Sequence, residues 1–197
     1  MVPGTTKQFD PSQVLERAIE LFWAQGFEAT GMAQLTEHLG IGRQSLYNEF
    51  GDKRGLFLAS LRAYVDRMFA EKVAILDRPG SPLGNVRAIC RHWLEMVDQG
   101  CMGCMLANTA TEFGTSDPEV QEIVRAALRR SEDAFCGVFQ RAQDEGELSS
   151  DASPRDLARL FMSAGQGVSV LARLEGSTAV VAGTIHALLG LLPSSSA

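Results

Sequence analysis

The run Arg43-Gln44-Ser45-Leu46-Tyr47-Asn48 gathers the side chains of this chain best suited to reading another molecule. An arginine forks onto guanine O6 and N7, a glutamine pairs with adenine N6 and N7, and serine and tyrosine hydroxyls suit phosphates or base edges. Helical spacing turns Leu46 and Phe50 inward and leaves Arg43, Gln44, Ser45, Tyr47 and Asn48 at or near an outer face. Thr30 and Lys53 stand at other expected helix starts, where free amides and the positive dipole end favour phosphate. A second candidate chemistry belongs to thiols. Cys101-Met102-Gly103-Cys104 has the C-x-x-C spacing of half a zinc site or of a redox couple. A structural zinc site needs four ligands, so Cys90, His92 and Cys136 would have to supply the rest from other segments. Small thiols packed as apolar groups are the commoner outcome, and no metal or cofactor is expected. His92 and His186 have no nucleophile at a catalytic spacing, and serine-hydrolase and glycine-rich phosphate motifs are absent. The chain does not read as an enzyme.

The elements that must position the reading residues are two short helices and a turn. Met32, Leu35 and Leu39 give the first helix one buried face, and Gly40 ends it in the left-handed conformation that glycine enters without steric cost. Ile41 and Gly42 lead into the second helix. Two helices set across so short a turn form a helix-turn-helix, whose second helix fits the major groove. Downstream, Phe50-Gly51-Asp52-Lys53 supplies a stop, a new Asp cap and a lysine at the next helix start. Upstream, the helix through Ala18, Leu21 and Phe22 ends at Gly26, followed by the aromatic plug Phe27 and Thr30 as N-cap.

With those anchors, Leu21-Phe22, Gly26-Phe27, Thr30, Leu35, Gly40-Ile41, Leu46 through Lys53 and Leu56-Phe57, about the first sixty residues resemble the DNA-binding domain of TetR-type transcriptional regulators. Gly42 stands where that family usually has serine or threonine, and Glu49 where histidine or tyrosine is frequent. The resemblance implies a homodimeric repressor, joined through a four-helix contact, that binds double-stranded DNA at a palindromic operator and answers to a small-molecule effector. The stretch Gly103-Cys104-Met105-Leu106-x-Asn108-x-x-x-Glu112 is similar to one branch of the same family, which favours a structural Cys104 over the alternative of a thiol- or metal-responsive regulator using Cys101 and Cys104.

The chain has 197 residues, 45% hydrophobic and 21% charged, with a net charge of −6. That is an ordinary globular composition but the wrong sign for DNA binding over a whole surface. Residues 1–54 carry five basic and seven acidic side chains, so contacts must come from a few placed groups. No run is long and apolar enough to span a bilayer, no signal peptide is visible, and a cytoplasmic protein is expected. Asp10-Pro11, Ser81-Pro82, Asp117-Pro118 and Ser153-Pro154 each announce a helix, and Ser177 is a further candidate cap. An all-α fold is expected, with helices at about 11–25, 31–39, 43–49, 52–77, 82–99, 103–113, 118–145, 154–175 and 178–191. Residues 1–54 form the expected DNA-binding domain and 55–197 a ligand-binding and dimerisation bundle, with residues 1–9 and 193–197 as polar ends.

In that bundle Trp93, Met96, Met105, Phe135, Phe139, Phe161 and Met162 could line a ligand chamber, with Asn108 or Gln166 as its polar contact. Leu157, Leu160, Phe161, Ala164, Val168 and Leu171 form one apolar stripe, and Gly165, Ser169 and Ala172 a small-residue face suited to a second subunit. The last helix is apolar nearly all round and should be covered in the same dimer.

Overall fold

Four of the helix starts in this chain are set by side chains that answer the free amides of a first turn. The computed structural model describes residues 9–100, 103–174 and 178–193. The expected arm through residue 8, Cys101, the cap at Ser177 and residues 194–197 lie outside them. The helices are α1 (Pro11–Gln25), α2 (Met32–Leu39), α3 (Arg43–Phe50), α4 (Lys53–Leu76), α5 (Pro82–Asp98), α6 (Met105–Phe113), α7 (Pro118–Asp144), α8 (Pro154–Leu171) and α9 (Thr178–Gly190). Among the described residues there is no strand, so the fold is all-α. Asp10, Ser81, Asp117 and Ser153 each accept a first-turn amide ahead of the proline that follows them.

The chain divides into two compact units, one ending at Val65 and the other starting at Asp66. In the first, Val14, Ala18, Ile19 and Phe22 of α1 bury with Leu35, Leu39, Leu46, Leu56, Phe57 and Leu61. The rings of Phe22 and Phe57 meet edge-on at 5.2 Å, and Phe27 lies 5.1 Å from Phe57. Such pairs add about 0.5–1.5 kcal/mol each beyond the area they bury. Gly40 has φ 67°, the left-handed stop expected of it. Gly55 has a different reason to be glycine. A Cβ there would sit 1.9 Å from the Phe50 carbonyl oxygen, so the start of α4 crosses the end of α3 without room for a side chain.

In the second unit α7 packs chiefly on α8 and also meets α5 and α6, while α9 covers α5 and α8. Its core joins Leu76, Val86, Ile89, Cys90, Phe135, Phe139, Ala158, Phe161, Val181 and Ile185. Glu147, beyond α7, accepts from Ser81 Oγ at 2.8 Å and Leu83 N at 2.9 Å and so helps cap α5. Two expectations are corrected here. Leu160 points outward, because Ala158 and Phe161 take the core positions of that turn. The space over Gly165 is taken up within the chain rather than left open for a partner. A Cβ at Gly165 would meet the Trp93 ring at 2.9 Å, and the Ser169 carbonyl lies 2.5 Å from where a Gly103 Cβ would stand.

Gly55→Ala should therefore lower the unfolding free energy by about 1–3 kcal/mol, as overpacking against backbone does. Gly137→Ala, inside α7 with only the flexible end of Arg141 at 3.9 Å, should raise it by about 0.5–1 kcal/mol. Denaturant midpoints of the two variants would check the contrast, and a neutral Gly55→Ala would show that the crossing can relax.

Candidate functional site

The reading residues project from α3 because one side chain holds that helix down. Leu46 is fully buried and Phe50 half-buried, while Arg43, Gln44, Tyr47 and Asn48 are exposed and Ser45 half-buried. The structure thus brings the five onto one short accessible helix. Gln44 Nε2 donates to Asn48 Oδ1 at 3.0 Å one turn on, which orients both amides along the outer face. Gly42 and Gly31 are the N-caps of α3 and α2, and neither helix start has a side-chain cap hydrogen bond. Around both glycines the space is open, so no neighbouring side chain stands over either helix start at the cap.

Thr30 is corrected. The cap of α2 is Gly31, and the Thr30 side chain is fully buried, its Oγ1 donating to the Gly26 carbonyl at 2.5 Å. A hydroxyl turned into the α1–α2 loop cannot hold a phosphate. Lys53 is corrected in part. Its Nζ donates to the carbonyls of Phe27 at 2.9 Å and Thr30 at 3.0 Å, and it lies 4.1 Å above the Phe27 ring. Two of the three ammonium donors are spent on that loop, so Lys53 is first a clamp between α4 and the chain ahead of α2.

In the second unit the expected chamber residues fall into two groups. Phe135, Phe139 and Phe161 are buried together, with Phe139 and Phe161 at 5.2 Å, and they fill the core. Trp93, 6.4 Å from Phe135, and Met162 pack at its edge; Met96 and Gln166 are half-buried, and Met105 is buried on α6. Asn108 is half-buried, with an Nδ2 that is closed off from solvent and has no hydrogen-bond partner. Lys72, missed in the sequence, donates to Ser131 Oγ at 2.7 Å. Its signal was an interruption: it falls at helical spacing among Leu61, Val65, Met68, Ile75 and Leu76, a stripe that is otherwise apolar.

Cys90, Cys104 and Cys136 are free thiols. Cys90 is wholly buried, and burial pushes its thiol up to about 12, so it acts as a small core residue. Cys104 is buried at the start of α6. No group of three His, Cys, Asp or Glu side chains among the described residues could hold a metal ion.

Lys53→Met should cost about 1–3 kcal/mol of stability, because two loop carbonyls lose a charged donor. Urea unfolding would measure the loss. A variant as stable as the parent would mean that the lysine is a surface residue after all.

Known proteins share this two-unit organisation. The pattern of bacterial regulatory proteins of the tetR family matches residues 14–60, and that of the tetracyclin repressor-like C-terminal domain matches residues 82–188. The chain is 34% identical to the uncharacterized HTH-type transcriptional regulator YezE of Bacillus subtilis (strain 168), over 87% of this chain and 90% of that one. It is 30% identical to the HTH-type transcriptional repressor ComR of Escherichia coli (strain K12), over 89% and 84%. A cysteine mutant of the TetR family regulator CifR, solved with 26 bp double-strand operator DNA, superposes with a TM-score of 0.84 at 27% identity, covering 96% of this chain and 100% of that one. With both units matched in order, the chain belongs to the TetR family of transcriptional regulators and is not an enzyme.

Proposed function

We propose that the protein is a homodimeric repressor that binds a palindromic operator and leaves it when a small molecule enters the second unit. The observation that carries this reading is the outer face of α3, where Arg43, Gln44, Tyr47 and Asn48 stand exposed on a helix fixed by Leu46. Arg43, Gln44 and Ser45 read bases. Tyr47, Asn48, the third donor of Lys53 and the uncapped amides of α2 and α3 hold phosphates. CifR with its operator DNA and ComR as a repressor support the same assignment by similarity.

The dimer is supported by apolar side chains that the single chain leaves in water. Val170, Leu174, Val180 and Leu191 are 57 to 65% exposed on α8, α9 and the ends beside them. On α9, Val181, Ile185 and Leu188 turn inward, and Val180 lies off that stripe in solvent. Two subunits joined there would present two α3 helices to half-sites roughly 34–36 Å apart or a multiple of that spacing.

A thiol-responsive trigger is the second reading, favoured by one observation: Cys104 lies close enough to Lys72 to act on its charge. Cys104→Ser would remove any oxidant response and leave a ligand response untouched.

Genomic DNA enrichment with the purified protein should recover a palindrome. On that operator Arg43→Ala should lose about 1–3 kcal/mol and relax preference at one base pair per half-site. Unchanged affinity and preference would refute the assignment of Arg43. Val180→Glu should yield monomers by sedimentation and weaken operator binding. If it stays dimeric, the contact lies elsewhere.

A further inference from the structure

The second unit holds a half-buried cation, Lys72 of α4, with no anion beside it among the described residues. Lys72 Nζ reaches Ser131 Oγ at 2.7 Å and lies 6.0 Å from the centre of the Phe135 ring. Ser131 is 4% exposed and Phe135 1%, so the ammonium points at the interior of α7. Burial pulls Lys72 down to about 8, against which only the neighbouring Cys104 favours its charged form. No carboxylate stands beside it among the described residues. The contrast with the outside is clear. There Arg129, Arg130, Arg141 and Arg155 each meet an aspartate or glutamate within 3.0 Å. A charge drawn partly out of water is best tolerated when paired, and this half-buried one has only a hydroxyl.

A second unmet group lies near. Cys104, next to Lys72, is the N-cap of α6, and Asn108 follows one turn later on the same face. The Asn108 amide nitrogen is closed off from solvent with no acceptor. Ser131 accepts from Lys72 and keeps its own proton to donate. Ammonium, hydroxyl and amide are all donors, and the group that would satisfy them is an acceptor with one negative charge. Beside Lys72 lies the Phe135 ring, itself 6.4 Å from Trp93, and these rings suit an apolar body. A phosphate dianion would bring a second charge with nothing to neutralise it, and an amine would meet Lys72 with like charge.

We propose that the effector is a small apolar carboxylic acid, held as its carboxylate by Lys72 Nζ, Ser131 Oγ and Asn108 Nδ2. This rests on the reading of the protein as a ligand-released regulator and specifies the class of its ligand. The acid supplies the missing anion, and binding is strongest where its carboxylate replaces an unsatisfied contact rather than water.

The test is calorimetric titration of the full-length protein with acetate, hexanoate and benzoate, each beside its neutral amide. At least one acid should bind, and its amide should bind about tenfold more weakly or worse, the loss expected when a charged hydrogen bond becomes neutral. Lys72→Met should weaken that acid by about ten- to hundredfold, and Asn108→Leu by several-fold. The unfolding midpoint of Lys72→Met should equal or exceed the parent's, since a half-buried unpaired charge is gone, and this separates lost binding from lost folding. Binding by none of the acids, or equal binding of acid and amide, or undiminished binding by Lys72→Met, would overturn the proposal. Operator enrichment is read without any acid, so its failure would sink the regulator reading alone.

Discussion

The ammonium of Lys53 is the constraint on which the reading unit depends. It donates to the carbonyls of Phe27 and Thr30, 26 and 23 residues upstream, so the whole of α2, the turn and α3 lies in a segment closed by one side chain. Closing that segment in the folded state fixes where both short helices begin and end, and neither has the length to be stable alone. The Phe27 ring under the ammonium and the Phe22 and Phe57 rings beyond it make the clamp partly apolar, which strengthens its charged hydrogen bonds. The Thr30 hydroxyl, turned onto Gly26, ties the other side of the same loop. With the ends held in this way, α3 needs little more than Leu46 to stay in place. Arg43, Gln44, Tyr47 and Asn48 stay exposed on it.

This division of labour also answers the charge of the unit. Five basic against seven acidic side chains in residues 1–54 cannot draw DNA by a diffuse field. The helix starts are treated unequally, though. Those of α1, α5, α7 and α8 are closed by an aspartate or serine oxygen, whereas α2 and α3 begin at glycines with no side-chain cap bond. A capping oxygen would occupy the same amides that a phosphate uses. Glycine forgoes a few tenths of a kcal/mol of cap stability and leaves those donors open. Local amides thus do what net charge does not.

Most of the architecture was legible because its signals are local. Four cap-proline pairs start helices, Gly40 stops one, and Leu35, Leu39 and Leu46 repeat at helical spacing. The misreadings were all tertiary. A threonine one residue ahead of a helix looks like a cap, and only the fold shows Gly31 in that role and Thr30 inside. A lysine at a helix start looks ready for phosphate until the loop 23 residues earlier comes back to meet it. Gly165 and Ser169 look like a partner's footing, yet the Trp93 ring of α5 takes the space over Gly165. Gly55 carries no sequence mark of the carbonyl it must clear.

Lys53 and Lys72 both belong to α4, and the same physics treats them differently. An ammonium out of water needs oxygen around it. Lys53 finds two peptide carbonyls, whose dipoles already point into a closed loop, and an aromatic face. That set satisfies two of the three ammonium donors without adding an opposite charge. Lys72 finds one hydroxyl at 2.7 Å and a ring 6.0 Å away, too little to replace its hydration. Desolvation lowers the basicity of Lys72 in the same sense, and the Asn108 amide without an acceptor repeats the shortage for a neutral group. A side chain whose partners are all present is structure. One whose partners are short by a single acceptor is half of a binding site, and the missing half defines the ligand.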